Sequence, residues 1–372
     1  MLFQSFPRAV PELRRLAQAL IHQEGARILV PPQQAASGFW FGGGNVVRGP
    51  EGDLWLCGRY RNAGDSRTGV GAGERGLELA IFRAEAVNEP FEKVRSFSKA
   101  DLACGGRAVV SIEGCALRME GGEVELFVST EKEAAYPEEV ATFQKPGTGV
   151  WSIDHMTAAS VQDLDAHDLR EVVPFGSPER LHVKDPVVTR LEDGSTALIY
   201  CTHPFSWSSS GTALRVRAAG EEVFVPVSED LLRRGPVWDI AAARVTERLA
   251  VPALGVMAEL PPVSLYFYDS CECLRPMEEN ANAVKRPRGY SCEEIGGVAA
   301  GLDADFPEME SITPLEPLFV SPYGTGCSRY VSVVRLEDGL FATWQQSQPD
   351  LSQPLVGHFL PMEEVERILE GH

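Results

Sequence analysis

Five polar or charged residues each stand just ahead of an apolar run in this sequence: Asn45, Glu113, Asp185, Asp239 and Arg329. Three of them are carboxylates, set in Ser111-Ile112-Glu113-Gly114-Cys115, Val183-Lys184-Asp185-Pro186 and Val237-Trp238-Asp239. Carboxyl groups crowded around one cavity do acid–base chemistry, because repulsion keeps one protonated while another stays ionised. An acid and a base about 6.5–9.5 Å apart leave room for the water that splits a glycosidic bond. An Asp before Pro or at a strand start also caps a turn through its own backbone. Recurrence of the acid at the same relative place is what points beyond capping.

Other groups could bind what the carboxylates act on. Arg59 and Arg61 flank Tyr60, and Arg75 follows in Glu74-Arg75-Gly76; guanidinium forks hold hydroxyls or a substrate carboxylate. Asp154 and His155 are adjacent, His203 follows a β-run, and Asp269 and Glu272 close another. Trp207 and Trp238 offer ring faces on which a sugar can stack. Gly69-Val70-Gly71-Ala72-Gly73 has no Gly-Lys-Ser/Thr ending and no helix after it, which excludes a phosphate loop. Cys271-x-Cys273 with Cys292 matches no standard zinc spacing, and the eight scattered cysteines read as reduced, buried thiols.

The elements that must position these groups are hairpins. Val187-Val188-Thr189-Arg190-Leu191-Glu192-Asp193-Gly194 leads into a second β-run at 196–200, and Val331 to Gly339 repeats the pattern before 340–344. Looser copies run over 45–56 and 115–127. Gly after an acid supplies the positive φ of a tight hairpin, and recurrence at long intervals indicates blades with long inserts. The expected fold is all-β, a five-bladed β-propeller in one domain over 1–372, with a helix at about 10–22 and blades over about 39–360.

Blade one holds 54–60, 77–82 and 91–97, and blade two holds 115–119, 124–129, 150–155 and 169–174. Blade three holds 185–190, 196–202, 213–217 and 222–227. Blade four starts near Trp238-Asp239-Ile240 and continues at 263–268; a sixth blade would have to lie within 275–320. Blade five holds 329–335, 340–345 and 355–359, with its outermost strand supplied by 27–30, and a closing helix spans 363–369. The first-to-second-strand turns read as uniformly tight. The second-to-third connections, 59–76, 130–149, 202–211 and 269–297, are long and polar, so one rim carries the binding groups.

The 372 residues are 44% hydrophobic and 23% charged, with a formal net charge of −19, which argues against nucleic acid as a partner. No apolar stretch is long enough to span a bilayer, and the start of the chain lacks the pattern of a secretion signal, so a cytoplasmic location is expected. The expected partner is a small carbohydrate. No cofactor is expected, although carboxylates around a channel are compatible with a structural calcium ion.

Glu113-Gly114 and Asp185-Pro186, each followed by a strand, together with the Asp-Gly hairpins, resemble the five-bladed propeller glycoside hydrolases: the arabinanase and β-xylosidase type of family 43, the invertase type and the family 130 mannoside phosphorylases. The resemblance covers about 39–360 and implies hydrolysis of a terminal glycosidic bond in the central funnel. Phosphorolysis and non-catalytic glycan binding are the alternatives. Two departures stand out. Asn45 occupies the place of the family 43 base and cannot take a proton, and the Glu-Gly element precedes the Asp-Pro element. The resemblance therefore implies Glu113 as general acid, with Asp185 or Asp239 as base or as the charge that tunes it.

Overall fold

Alternating side chains build each sheet, and apolar clusters join one sheet to the next. The structure, a computed structural model, describes residues 6–62, 75–203, 210–271 and 294–371. Blade one comprises β2 (Trp40–Gly42), β3 (Val46–Arg48), β4 (Leu54–Arg61), β5 (Glu78–Ala84) and β6 (Glu92–Ser98). Blade two is β7 (Val109–Glu120), β8 (Glu123–Lys132), β9 (Val150–Ala158) and β10 (Arg170–Val173). Blade three is β11 (His182–Arg190), β12 (Thr196–His203), β13 (Gly211–Arg217) and β14 (Val225–Ser228). Blade four is β15 (Arg244–Ala250), β16 (Val263–Cys271), β17 (Glu294–Leu302) and β18 (Glu310–Ser311). Blade five is β19 (Ser328–Arg335), β20 (Gly339–Gln346) and β21 (Leu355–Pro361), with β1 (Arg27–Val30) as its outermost strand. The chain thus closes the ring near its own beginning, as the sequence suggests.

Apolar clusters fill the blade junctions. Leu79, Ile81, Leu117 and Leu126 join blades one and two, and Phe127, Ile153, Leu198 and Tyr200 join two and three. Tyr266, Tyr268 and Ile199 join three and four, while Phe41, Phe82 and Phe341 join five and one. Each such side chain contributes about 1.5–3 kcal/mol on burial. Helix α1 (Ala9–Leu20) buries Leu13, Leu16, Ala17 and Leu20 against α2 (Met362–Leu369) and blade five.

Two turn expectations are revised. The β15–β16 connection is not tight: it carries a 3-10 turn, Gly255–Glu259, that packs on α2. Gly194 has the expected φ of 82°, whereas Gly339 is a strand residue. A Cβ on Gly339 would meet the Leu360 carbonyl at 2.4 Å, so space requires glycine there, not φ.

Polar clips fix neighbouring inner strands in register. Asn45 donates from Nδ2 to the Leu117 carbonyl and accepts the Leu117 N–H at Oδ1, each at 2.8 Å, tying blade one to blade two. Ser332 Oγ accepts the Val46 N–H at 3.2 Å, and Glu247 accepts the Val333 N–H at 3.0 Å. Asn45→Ala is expected to lower unfolding free energy by about 1–3 kcal/mol, read as a shift in urea midpoint, because it orphans both Leu117 groups.

Candidate active site

All five inner strands are interrupted at one level. Blade one breaks between Gly42 and Val46, and β7 loses register between Ile112 and Cys115. Register also shifts between Lys184 and Val187 in β11, between Val245 and Glu247 in β15, and between Arg329 and Ser332 in β19. A bulge leaves residues unpaired and re-aims their side chains. Glu113, Asp185 and Tyr330 all occupy these bulges.

Asp185 and Tyr330 each have a φ of 54°, a conformation that costs a non-glycine residue about 1–3 kcal/mol and persists only where the surroundings enforce it. Enforcement is visible at both. The Asp185 N–H donates to Ser129 Oγ at 3.1 Å, and Asp185 Oδ1 accepts the Gly114 N–H at 3.1 Å. Gly114 is needed there, since a Cβ would stand 2.4 Å from Asp185 Oδ1. The Tyr330 N–H donates to both oxygens of the buried Asp269, at 3.2 and 3.0 Å.

Four charged tips converge above these bulges. Lys184 Nζ lies 3.8 Å from Glu113 Oε2 and 3.7 Å from Asp185 Oδ2, and Arg59 Nη2 lies 3.7 Å from Glu113 Oε2. Side-chain exposures are 5% for Arg59, 11% for Glu113, 14% for Lys184 and 10% for Asp185. These separations exceed hydrogen-bonding distance. Ser111 Oγ donates to Glu113 Oε1 at 2.7 Å and Arg59 Nη1 donates to the Gly42 carbonyl at 3.1 Å, but Asp185 Oδ2 accepts no hydrogen bond among the described residues. Oppositely charged groups are therefore buried together at separations too long for hydrogen bonds between them.

Electrostatics decides which form Glu113 takes. Burial pushes its carboxyl up, but Lys184, Arg59 and Arg75 together outweigh burial and bring it down to about 2. The same environment raises Lys184 above an ordinary lysine: burial opposes its charge, and Asp185 and Glu113 more than compensate. Glu113 is thus a carboxylate at neutral pH. The proton-donor role that the family resemblance implies for it does not fit the unliganded site.

Ion pairs and rings surround the four. Arg75 pairs with buried Glu131 at 2.8 Å, and Arg329 and Arg244 pair with Glu294 at 2.5 and 3.3 Å. The guanidinium carbons of Arg61 and Arg329 lie 4.2 and 4.4 Å from the Trp40 ring centre. Burial brings Arg61 down to about 9, with Glu113 acting against the fall. His182 lies 3.1 Å from the Tyr136 hydroxyl and packs edge-on against Trp151, over which Lys184 Nζ stands at 5.7 Å. His203 lies beyond His182, their ring centres 6.2 Å apart.

The structure therefore brings together Glu113, Asp185, Arg59, Arg61, Arg75 and Arg329, with His203 and Asp269 at the margin. It places others elsewhere. The Asn45 amide is used by the blade-two backbone. Asp154 is fully buried against Lys132, its Oδ1 at 2.7 Å from the ammonium, inside blade two. His155 stacks on Phe127 and faces Glu125 at 3.1 Å, in the groove between blades two and three. Trp238 is sealed, stacked on Tyr268 and donating to the Thr313 carbonyl at 2.7 Å, so no sugar reaches its ring. Asp239 accepts from the Tyr268 hydroxyl at 3.0 Å and belongs to that buried group. The inner strand of blade four begins not there but at Arg244. Trp207 and Glu272 lie outside the described residues, as do Cys273 and Cys292. Asp239→Asn is accordingly expected to leave kcat/KM within about twofold of wild type while lowering the melting temperature, since the Tyr268 hydroxyl still finds an acceptor.

Lys184, Tyr330, Trp40, Arg244 and Glu294 are the groups that sequence reasoning misses. Lys184 adjoins Asp185 and Tyr330 adjoins Arg329; a strict alternation would point one of each pair away, and the bulges remove that alternation. Among the described residues no group of three or more His, Cys, Asp or Glu side chains is placed to hold a metal ion, and no helix is long and apolar enough to cross a membrane.

No family model and no curated protein matches the sequence. Solved structures do match in fold. The protein solved as the BT0996 RGII complex superposes with a TM-score of 0.62 at 9% identity, over 95% of this chain and 97% of that one. The fold is that of the five-bladed glycoside hydrolase propellers. An endo-arabinase from Bacteroides thetaiotaomicron gives a TM-score of 0.54 at 9% identity, over 90% of this chain and 97% of that one. A GH43_1 enzyme from Xanthomonas citri complexed with xylotriose gives 0.50 at 10% identity, over 95% and 93%. At such identities the likeness concerns the propeller itself, and any chemistry must be read from the charged cluster of Arg59, Glu113, Lys184 and Asp185, the crater of the ring.

Proposed function

We propose that this propeller is a glycoside hydrolase that cleaves a terminal glycosidic bond, with the glycone seated among Arg59, Glu113, Lys184 and Asp185. One observation carries the reading: two buried carboxylates lie within 3.8 Å of one buried ammonium, and Asp185 Oδ2 accepts no hydrogen bond among the described residues. A sugar hydroxyl both donates and accepts, so it satisfies a carboxylate and a neighbouring cation at once. Glu113 Oε2 and Asp185 Oδ2 both lie within 3.8 Å of Lys184 Nζ, so the two carboxylates belong to one cluster that a single sugar ring can contact.

Glu113, held charged, activates a water or stabilises the cationic transition state; Asp185 is the second charge beside the anomeric carbon. Arg61, Arg329 and Trp40 form the wall beside them. Release of 4-nitrophenol from a panel of 4-nitrophenyl monosaccharides tests the reading. Turnover by wild type without added phosphate supports hydrolysis. A strict phosphate requirement would indicate phosphorolysis, and binding without turnover across the panel would leave a glycan-binding propeller.

A further inference from the structure

A charged Glu113 cannot itself donate the proton that the departing oxygen needs. Resting on the hydrolase reading above, we infer that Tyr330 is a catalytic residue, its phenol donating the proton to the leaving glycosidic oxygen.

Geometry sets this tyrosine apart from the other tyrosines among the described residues. It occupies the β19 bulge at a φ of 54°, and its N–H is clamped by both oxygens of Asp269. Strain of that kind at a buried aromatic aims the side chain at a chosen point. The ring lies 5.6 Å from the Arg59 guanidinium carbon and 5.1 Å from that of Arg329. The residue is only 7% exposed, so its ring is fixed between those two guanidinium groups and beside the charged cluster.

The surrounding charges suit a proton donor. From β4, β11, β15 and β19, Arg59, Lys184, Arg244 and Arg329 all act on the phenol, and Asp185 is the facing carboxylate. Burial, then Asp185, raises the phenol above its ordinary value, with the cations opposing, so the proton is in place at neutral pH. Once the proton leaves, the cations stabilise the phenolate.

The step balances. The Tyr330 O–H bond breaks as its proton joins the glycosidic oxygen, and the bond from that oxygen to the anomeric carbon breaks with it. Water adds to the anomeric carbon and yields a proton to the Glu113 carboxylate. That proton returns to the phenolate through solvent, so one water is consumed and nothing is oxidised.

The test compares two leaving groups on whichever sugar the wild type cleaves. A 2,4-dinitrophenolate departs without a proton, whereas methoxide requires one. Tyr330→Phe is expected to cut kcat/KM on the methyl glycoside about 10²- to 10⁴-fold while sparing the dinitrophenyl glycoside to within a few-fold. Tyr330→3-fluorotyrosine, which lowers the phenol pKa with almost no change in size, is expected to shift the alkaline limb of the methyl-glycoside profile to lower pH. Equal losses on both substrates, or an alkaline limb unmoved by fluorination, would overturn the assignment and leave the hydrolase reading standing. A wild type inert on both substrates would overturn both.

Discussion

Glu113→Gln is expected to lower kcat about 10²- to 10⁴-fold on the best-cleaved 4-nitrophenyl glycoside, with little change in melting temperature. Gln keeps the volume and still accepts from Ser111, so the bulge and its hydrogen bond survive. What disappears is the charge that Lys184, Arg59 and Arg75 hold in place. Asp185→Asn is expected to lose activity by a comparable factor, because its open Oδ2 becomes either an amide nitrogen facing Lys184 or a weaker acceptor. The two losses will not add, since both variants disturb the same ammonium. Near-wild-type kcat in either variant removes that carboxylate from the mechanism.

Lys184→Met carries the largest expected effect on stability. Removing one partner from a buried charged cluster costs about 3–5 kcal/mol, because the charges left behind have lost their compensation. The pH dependence identifies the cause. In wild type the folded-state value of about 2 for Glu113 lies below the ordinary 4.5, so Glu113 contributes stability that is present above pH 4.5. That contribution, on the order of 3 kcal/mol, is lost as the pH falls from about 4.5 toward 2. Without Lys184 much of it is already missing at neutral pH. The gap in unfolding free energy between wild type and Lys184→Met should therefore be widest near pH 7 and shrink below about pH 4. Chemical denaturation at several pH values measures it, and a gap independent of pH would mean that Lys184 acts only by packing.

The parts of the fold legible in the sequence are those written in local signals. Asp193-Gly194 and Gly121-Gly122 turn their hairpins, with positive φ at the glycines, and the strand-forming runs buried at nearly every position in β8, β12 and β20 mark the second strand of their blades. Blade four is hard to place because its inner strand, Arg244-Val245-Thr246-Glu247-Arg248, carries polar residues at nearly every position, while Trp238-Asp239-Ile240 mimics a strand start. Those polar residues are explained by their neighbours: Arg244 pairs with Glu294, Glu247 clips blade five, and Arg248 pairs with Asp303 at 3.0 Å.

Within the site, Glu113 and Asp185 can be found because Gly114 and Pro186 mark their bulges. Lys184 and Tyr330 cannot, since a bulge cancels the alternation that assigns side chains to faces. Asn45, Asp154 and Asp239 show the opposite error. Asn45 and Asp239 are polar residues that read as strand starts and Asp154 reads as a strand end, and each is used to satisfy buried backbone or side-chain groups.

A crystal structure of Glu113→Gln soaked with the best-cleaved glycoside decides whether the crater is where the sugar reacts. The expected result is a sugar ring in the crater, its anomeric carbon between residue 113 and Asp185 Oδ2, with hydroxyls bonded to Lys184 and Arg59. A sugar bound only in the groove between blades two and three, with the crater holding water alone, would contradict it.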